Sequence, residues 1–307
     1  MYRFLALAAV LIIAEELAEY AYKRTASYRA SRAGYAHIHG EIPEGLETVS
    51  VGSGPVLYGI SFEYCPRKGF NLATAPQNFI NGFRLIKRFT PNIAPGATVI
   101  IVIMSPMSFG RNNDYNSPGY YDKFYGVLPP GDIPGYSRFR AFLIAHPLML
   151  RAAGKLRRTV SRIFSRAKSP VSKDIPGIIQ TWTSEFGLDN LTDPSQAEAH
   201  RDAFNEKIGI LSEEIVYCKA RGWHPVLVIP PVPEKTRSHI SPEFVKAFVG
   251  GNMEVLTRKF PDVRVLDYYE DSRFTPDMFS DGIFLSAKGR EAFSRILFGE
   301  IYEGGAK

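Results

Sequence analysis

The stretch Leu46 to Ile60, LETVSVGSGPVLYGI, decides the fold of this chain. Its first half is a run of mostly apolar and β-branched residues, which predicts a buried strand. The run ends in a Gly-Ser-Gly turn that leads directly into a second apolar segment. A strand-to-helix turn of this kind can present a nucleophilic serine at the edge of a sheet. Here the turn carries one hydroxyl group, that of Ser53, between Gly52 and Gly54.

Downstream of this stretch, apolar strand patterns alternate with amphipathic helix patterns. The predicted strands are Thr48 to Gly52, Gly69 to Ala73, Thr98 to Met104, Pro225 to Ile229 and Val263 to Tyr268. The predicted helices are Gln77 to Phe89, Gln196 to Arg221, Pro242 to Phe260 and Ser286 to Tyr302. Alternation of this kind predicts an α/β fold, in which helices cover a parallel sheet of about five strands. Functional residues of such sheets gather at the carboxyl ends of the strands.

Length and composition favour one large domain. The chain has 307 residues, of which 45% are hydrophobic and 13% aromatic, enough to bury a sizeable core. Cys65 and Cys218 fit no metal-binding spacing and no disulfide framework, so we interpret them as small core residues. We predict neither a metal nor a cofactor.

The N-terminus resembles an export or anchoring signal. The apolar run from Phe4 to Ala14 ends at Glu15 and Glu16. This run is short for a membrane span but suits the hydrophobic core of a signal peptide. No clear cleavage site follows, so a cleaved signal and an uncleaved anchor both stay open, as does a buried N-terminal helix. We therefore expect an exported protein that is membrane-anchored or periplasmic. The predicted divisions are a signal or anchor at 1–24, a linker at 25–45 and a domain at 46–303 with an insertion at 110–194.

The predicted insertion holds the excess positive charge. The segment from Ile133 to Lys173 contains ten Lys or Arg residues and no carboxylate, which leaves 27 basic and 31 acidic residues in the rest of the chain. A helical projection of its second half separates an apolar face from a basic face. The residues chosen for a membrane-surface or polyanion contact are Lys155, Arg158, Arg162 and Arg166.

Three interpretations of this basic face stay open. It can bind an anionic membrane surface, it can bind a polyanionic glycan, or it can be a solvated face of a helix that docks on its own domain. No motif of a nucleic-acid reader accompanies the charge, so nucleic acid is not an expected partner.

Four features of the chain together resemble the SGNH or GDSL-type hydrolase superfamily, in particular the branch that modifies acyl groups on envelope polysaccharides. They are the strand and turn at Val49 to Gly54, the strand end Phe70-Asn71-Leu72-Ala73 followed by Gln77, the strand ending in Ser105-Pro106-Met107-Ser108-Phe109, and the block from Asp281 to Gly289. The resemblance implies a three-layer α/β/α sandwich with a flavodoxin-like parallel sheet. It also implies a serine nucleophile, a histidine base, an orienting aspartate and donors for an oxyanion.

This chain departs from the family pattern at three positions, those of the nucleophile, the histidine base and one oxyanion donor. The nucleophile position falls on Gly54, with Ser53 one place before it, and the histidine position falls on Phe284. Phenylalanine accepts no proton, so the usual activation of a serine hydroxyl is missing. The position of an oxyanion donor falls on Pro76, which has no N–H. The orienting aspartate is present as Asp281, although an Asp before a helix is also a common turn or cap residue.

Two functions therefore stay open. The first is a catalytically impaired accessory protein that binds cell-surface glycan, acylated lipid or another envelope-biosynthesis protein. The alternative is a divergent O-acyl esterase or O-acyltransferase that uses Ser53 with Asp281 and a base recruited from elsewhere, for which His239 in a proline-rich loop is the candidate. In either case we expect Asn71, Gln77 and Ser105, at the ends of the strands, to contact a ligand.

Overall fold

The computed structural model describes residues 2–104, 108–111, 117–148 and 174–304. These residues form two compact units. The first unit holds residues 2–40 and 118–148, and the second holds the rest of the described chain. The basic residues Lys155, Arg158, Arg162 and Arg166 and the predicted ligand contact Ser105 lie outside the described residues.

The second unit is built on a five-stranded sheet in which every pair of neighbours is parallel, as the alternation in the sequence predicts. The strand order is β2-β1-β3-β4-β5. The strands are β1 (Leu46–Val51), β2 (Gly69–Asn71), β3 (Ile93–Val102), β4 (His224–Ile229) and β5 (Arg264–Asp267). All five strands overlap the predicted ones, and the α/β class is confirmed.

The described residues contain eleven α-helices. In chain order they are α1 (Tyr2–Lys23), α2 (Ala26–Arg32), α3 (Gly54–Gly59), α4 (Phe79–Arg88), α5 (Arg138–Ala145), α6 (Ile175–Phe186), α7 (Arg201–Lys219), α8 (Glu234–Arg237), α9 (Pro242–Val245), α10 (Gly251–Lys259) and α11 (Ala287–Tyr302). A π-helical turn, Lys246–Gly250, joins α9 to α10. The predicted helix from Pro242 to Phe260 is therefore interrupted by a wider turn.

Helices cover both faces of the sheet, because successive side chains of a strand point to opposite sides. On one face, Ile100 and Val226 pack in a buried cluster with Val56 of α3 and with Phe293 and Leu297 of α11. On the other face, α4 and α7 pack against each other and against the sheet. Strands buried on both sides explain the continuous apolar runs in the sequence.

The first unit consists of α1, α2, α5 and the loop that precedes α5. Arg140 of α5 binds Asp122 through two hydrogen bonds, from Nε at 2.6 Å and from Nη2 at 2.9 Å. In the loop at residues 120–125, the buried rings of Tyr120, Tyr121 and Phe124 touch one another, and the buried ring of Tyr125 stacks on Tyr136. These aromatic rings hold the loop together.

Among the described residues, no helix combines the length and the hydrophobicity that crossing a bilayer requires.

Candidate functional site

The turn after β1 places Ser53 and Gly54 at the carboxyl edge of the sheet. Gly52 has a φ of +145°, a backbone conformation that side chains rarely allow, and a Cβ at this position would lie 2.4 Å from Val56. Ser53 is the residue before α3, and Pro55 stands in the first turn of that helix. Gly52 thus permits the sharp change of direction that lifts Ser53 from the strand into the helix.

The two positions that the family resemblance assigns to the nucleophile and the base are in contact. A Cβ at Gly54 would lie 3.0 Å from the Phe284 ring, which is closer than nearly all real Cβ contacts. The ring also meets Tyr58 of α3 edge to face, with the centroids 5.6 Å apart. Phe284 therefore packs against α3, beside Gly54 and Tyr58.

Ser53 is half-buried, and its Oγ accepts a hydrogen bond from the Gln77 N–H at 3.2 Å. Its side chain caps no N–H of α3. Ser53 lines a cavity between the sheet and α4, α6 and α7. Of the three histidines in the described part of this unit, His200, His224 and His239, none lines the cavity. The described residues of the unit thus place no imidazole in the cavity that Ser53 lines.

His239 and Asp281 line another depression, formed at the ends of α6 and α8 and the loop before α11. Asp281 Oδ1 accepts hydrogen bonds from the N–H groups of Ile283 and Phe284, each at 2.8 Å. This pattern is an Asx turn, and it shapes the loop that carries Phe284. The structure therefore brings Asp281 and His239 to one groove but lines the Ser53 cavity with other residues.

Two predicted ligand contacts tie the strand ends to each other. Asn71 Oδ1 accepts hydrogen bonds from Ser50 Oγ and the Ala73 N–H, each at 3.0 Å. Gln77 Oε1 accepts the Gly52 N–H at 2.7 Å, and its Nε2 donates to the Leu72 carbonyl at 3.1 Å. These hydrogen bonds brace the turn after β1 against the chain after β2.

The remaining histidines of this unit have structural surroundings. His200 is buried between Phe204 and Phe248, and its Nδ1 accepts the Arg111 N–H at 2.9 Å. Burial lowers the pKa of His200, which keeps the ring neutral and able to accept that hydrogen bond. His224 begins β4 and is exposed at the amino edge of the sheet, the end opposite to Ser53.

Sequence reasoning missed the charged residues of the Ser53 cavity, which are Lys207 and Glu214 of α7. Burial lowers the pKa of Lys207 to about 8 and raises the pKa of Glu214 to about 8. Lys207 Nζ donates a hydrogen bond to the Gly110 carbonyl. The helical spacing could have predicted that both residues are buried, because they fall on the face of α7 that also carries Phe204 and Leu211.

The described residues include one group with metal-ligand chemistry, Glu15, Glu16 and His146 in the first unit, whose ligand atoms lie within 4.8 Å of one another. His146 Nδ1 lies 3.2 Å from Glu15 Oε1, and Glu16 is exposed. A histidine–carboxylate pair at the surface accounts for this geometry, and the prediction of no metal stays a prediction.

No family model matches the chain, and no curated protein matches it. Among the solved structures that match is one described as "a putative platelet activating factor from Streptococcus pneumonia". It is 14% identical, the match covers 97% of this chain and 99% of that chain, and the TM-score is 0.42. At this identity and score, the likeness supports no functional assignment.

Proposed function

We propose that this chain is an SGNH-hydrolase-like cell-envelope protein that lacks the hydrolytic machinery and serves as a binding or accessory factor in acyl modification. The contact between Gly54 and the Phe284 ring carries this proposal. Hydrolysis by this family's chemistry needs a hydroxyl and an imidazole at these two places. Glycine offers no hydroxyl, and phenylalanine takes up no proton.

Two further observations support a loss of hydrolysis. The Ser53 hydroxyl accepts a hydrogen bond from the Gln77 N–H, and no histidine of the described second unit lines its cavity. Asp281 uses its Oδ1 to hold a turn, a role that needs no histidine partner. A serine without a base stays a weak nucleophile at neutral pH.

The ligand in this proposal is cell-surface polysaccharide or acylated lipid, and an envelope-biosynthesis protein is a further candidate partner. We also propose that the protein is exported and attached to the membrane. Val10, Ile13 and Leu17 of α1 are 60%, 60% and 62% exposed, so this helix presents apolar side chains. The basic residues at 155–166 supply charge that an anionic lipid surface attracts.

A second candidate function, a divergent O-acyl esterase or O-acyltransferase, rests on one observation. Ser53 and Lys207 line the same cavity, and a lysine whose pKa is lowered to about 8 can serve as a general base. In that case Lys207, rather than His239, would take the proton from Ser53.

A serine-directed fluorophosphonate separates the two functions, because it labels only serines that are activated as nucleophiles. We expect the intact mass of the protein to stay unchanged after incubation with the reagent. Ser53→Ala is the test variant, and Ser108→Ala is its matched control, because Ser108 is a partly buried serine of the same cavity. An adduct that forms on the wild type and on Ser108→Ala, but not on Ser53→Ala, would establish the enzyme instead.

A further inference from the structure

Strand β5 forms one edge of the sheet, and part of its backbone faces away from the other strands. It stands last in the strand order and pairs with β4 alone. The Tyr268 N–H, directly after β5, donates to the Ile229 carbonyl at 2.9 Å. Backbone groups of successive strand residues point to opposite sides in the plane of a sheet. Leu266 therefore faces β4, as Tyr268 does, whereas Val265 and Asp267 face outward.

The outward edge of β5 thus offers the N–H and the carbonyl group of both Val265 and Asp267. Among the residues that the structure describes, none forms a hydrogen bond with these groups. Donors and acceptors alternate along this edge at the spacing of a further strand. The chemistry that matches them is an extended peptide backbone, which carries the same alternation.

A groove runs along this edge, between β5 and the helical segment from α9 to α10. Its volume is about 330 Å³. One side is lined by every second residue of the strand and its continuation, which are Val265, Asp267 and Tyr269. The other side is lined by every fourth residue of the helical segment, which are Val245, Val249, Met253 and Thr257. The groove is therefore parallel to the free edge, as a binding site for a strand must be.

The groove suits a segment that combines an apolar side chain with positive charge. Val249 and Met253 are buried in it, and Val265 is half-buried. The charged residues that line it are Glu254 and Asp267, both of them exposed carboxylates. No Lys, Arg or His of the described chain lines it. These carboxylates attract a lysine or arginine of a partner.

We infer that β5 and this groove bind an extended peptide segment of another protein, which joins the sheet as an additional strand. The peptide backbone pairs with the outward groups of Val265 and Asp267. An apolar side chain of the peptide enters the groove, and basic side chains beside it pair with Glu254 and Asp267.

A second copy of this chain fits the edge less well. A symmetric contact between two β5 edges would bring two sets of the same carboxylates together, and like charges oppose such a contact. The inference does not depend on the proposed function, because β3 and β4 separate β5 from β1 and from Ser53.

Fluorescence anisotropy with a labelled hexapeptide tests the inference at neutral pH. The probe is Lys-Thr-Val-Thr-Lys-Thr with an acetylated N-terminus, which in an extended conformation presents its lysines and its valine on one face. We expect saturable binding with a Kd on the order of 100 μM. The control peptide Glu-Thr-Val-Thr-Glu-Thr keeps the pattern and reverses the charge, and it should bind at least about tenfold more weakly.

Two variants separate the backbone pairing from the charge. Val265→Pro removes an N–H that faces away from β4, which an edge strand tolerates, and should weaken the probe at least about tenfold. Val265→Thr keeps that N–H and is its matched control, so it should bind as the wild type does. Glu254→Lys should weaken the probe at least about fivefold and strengthen the acidic peptide. Its matched control is Glu243→Lys, at an exposed position of α9 that does not line the groove.

The inference is overturned if the probe shows no saturable binding up to about 1 mM. It is equally overturned if Glu254→Lys binds both peptides as the wild type does, a result that stands whether or not Val265→Pro folds. Dimers of the wild type in sedimentation velocity that are absent in Val265→Pro would assign the edge to a second copy instead. The fluorophosphonate result concerns Ser53 alone, so failure of the peptide and failure of the proposed function are distinguishable.

Discussion

Replacement of Gly289 by alanine is expected to lower the free energy of unfolding by about 3 kcal/mol or more. Gly289 lies in the first turn of α11, and a Cβ at this position would lie 1.9 Å from the Met278 carbonyl oxygen. The obstacle is backbone, which cannot turn aside as a flexible side chain can. The Ser286 N–H donates to the same carbonyl at 2.8 Å, so moving Met278 away would also break that hydrogen bond.

The same helix provides a matched control. A Cβ at Gly299 would meet only Glu303 Oε2, at 3.7 Å, which is an ordinary contact. Gly299→Ala should therefore leave stability unchanged or raise it by up to about 1 kcal/mol, since alanine favours the helix. Urea denaturation followed by circular dichroism measures both variants. Equal midpoints for Gly289→Ala and the wild type would contradict the close approach of α11 to the Met278 carbonyl.

Glu214→Gln is expected to remove a steep loss of stability with rising pH. Burial raises the pKa of Glu214 from its usual 4.5 to about 8. Between these two values the unfolded chain has lost the proton while the folded chain keeps it. The folded state then binds more protons, so the free energy of unfolding falls as the pH rises, by up to about 1.4 kcal/mol per pH unit. Below pH 4.5 Glu214 is protonated in both the folded and the unfolded state, and above pH 8 it is ionised in both.

Glu214→Gln should therefore gain stability over the wild type progressively from about pH 5 to pH 7.5. This range lies below the pH at which Lys207 loses its proton. The quantity to measure is how the difference in unfolding free energy between Glu214→Gln and the wild type changes with pH. Burying the glutamine amide has a cost that is the same at every pH, so it does not alter this slope. Glu213→Gln, which removes an exposed carboxylate of α7, should keep the slope of the wild type. Parallel curves for the wild type and Glu214→Gln would show that Glu214 does not stay protonated in the fold.

The sequence predicted most of the sheet because its strands are buried on both faces. The run from Thr98 onward is apolar and β-branched, so β3 could be recognised there. Its first residues were missed because Pro95 and Gly96, which usually end a strand, lie inside β3. The pairing of β1 with β3 shifts register at this point, which absorbs the irregular residues. Because this pairing depends on residues that are distant in the sequence, the local sequence of β3 does not predict it.

The candidate site was predicted in part. The turn at Ser53 and the phenylalanine at position 284, where the family resemblance implies a histidine, can both be recognised in the sequence, since each follows from one motif. That the Phe284 ring fills the space beside Gly54 depends on how the loop before α11 folds back on α3. Lys207 and Glu214 were missed because charged residues on a helix are usually solvated, and only packing reveals that these two are not.

The most direct test of the central claim is the rate of hydrolysis of a short-chain aryl acetate by the purified protein at neutral pH. If the hydrolytic machinery is absent, the wild type and Ser53→Ala should both hydrolyse the ester at the rate of buffer alone. Turnover by the wild type that exceeds this background, and that Ser53→Ala abolishes, would contradict the account.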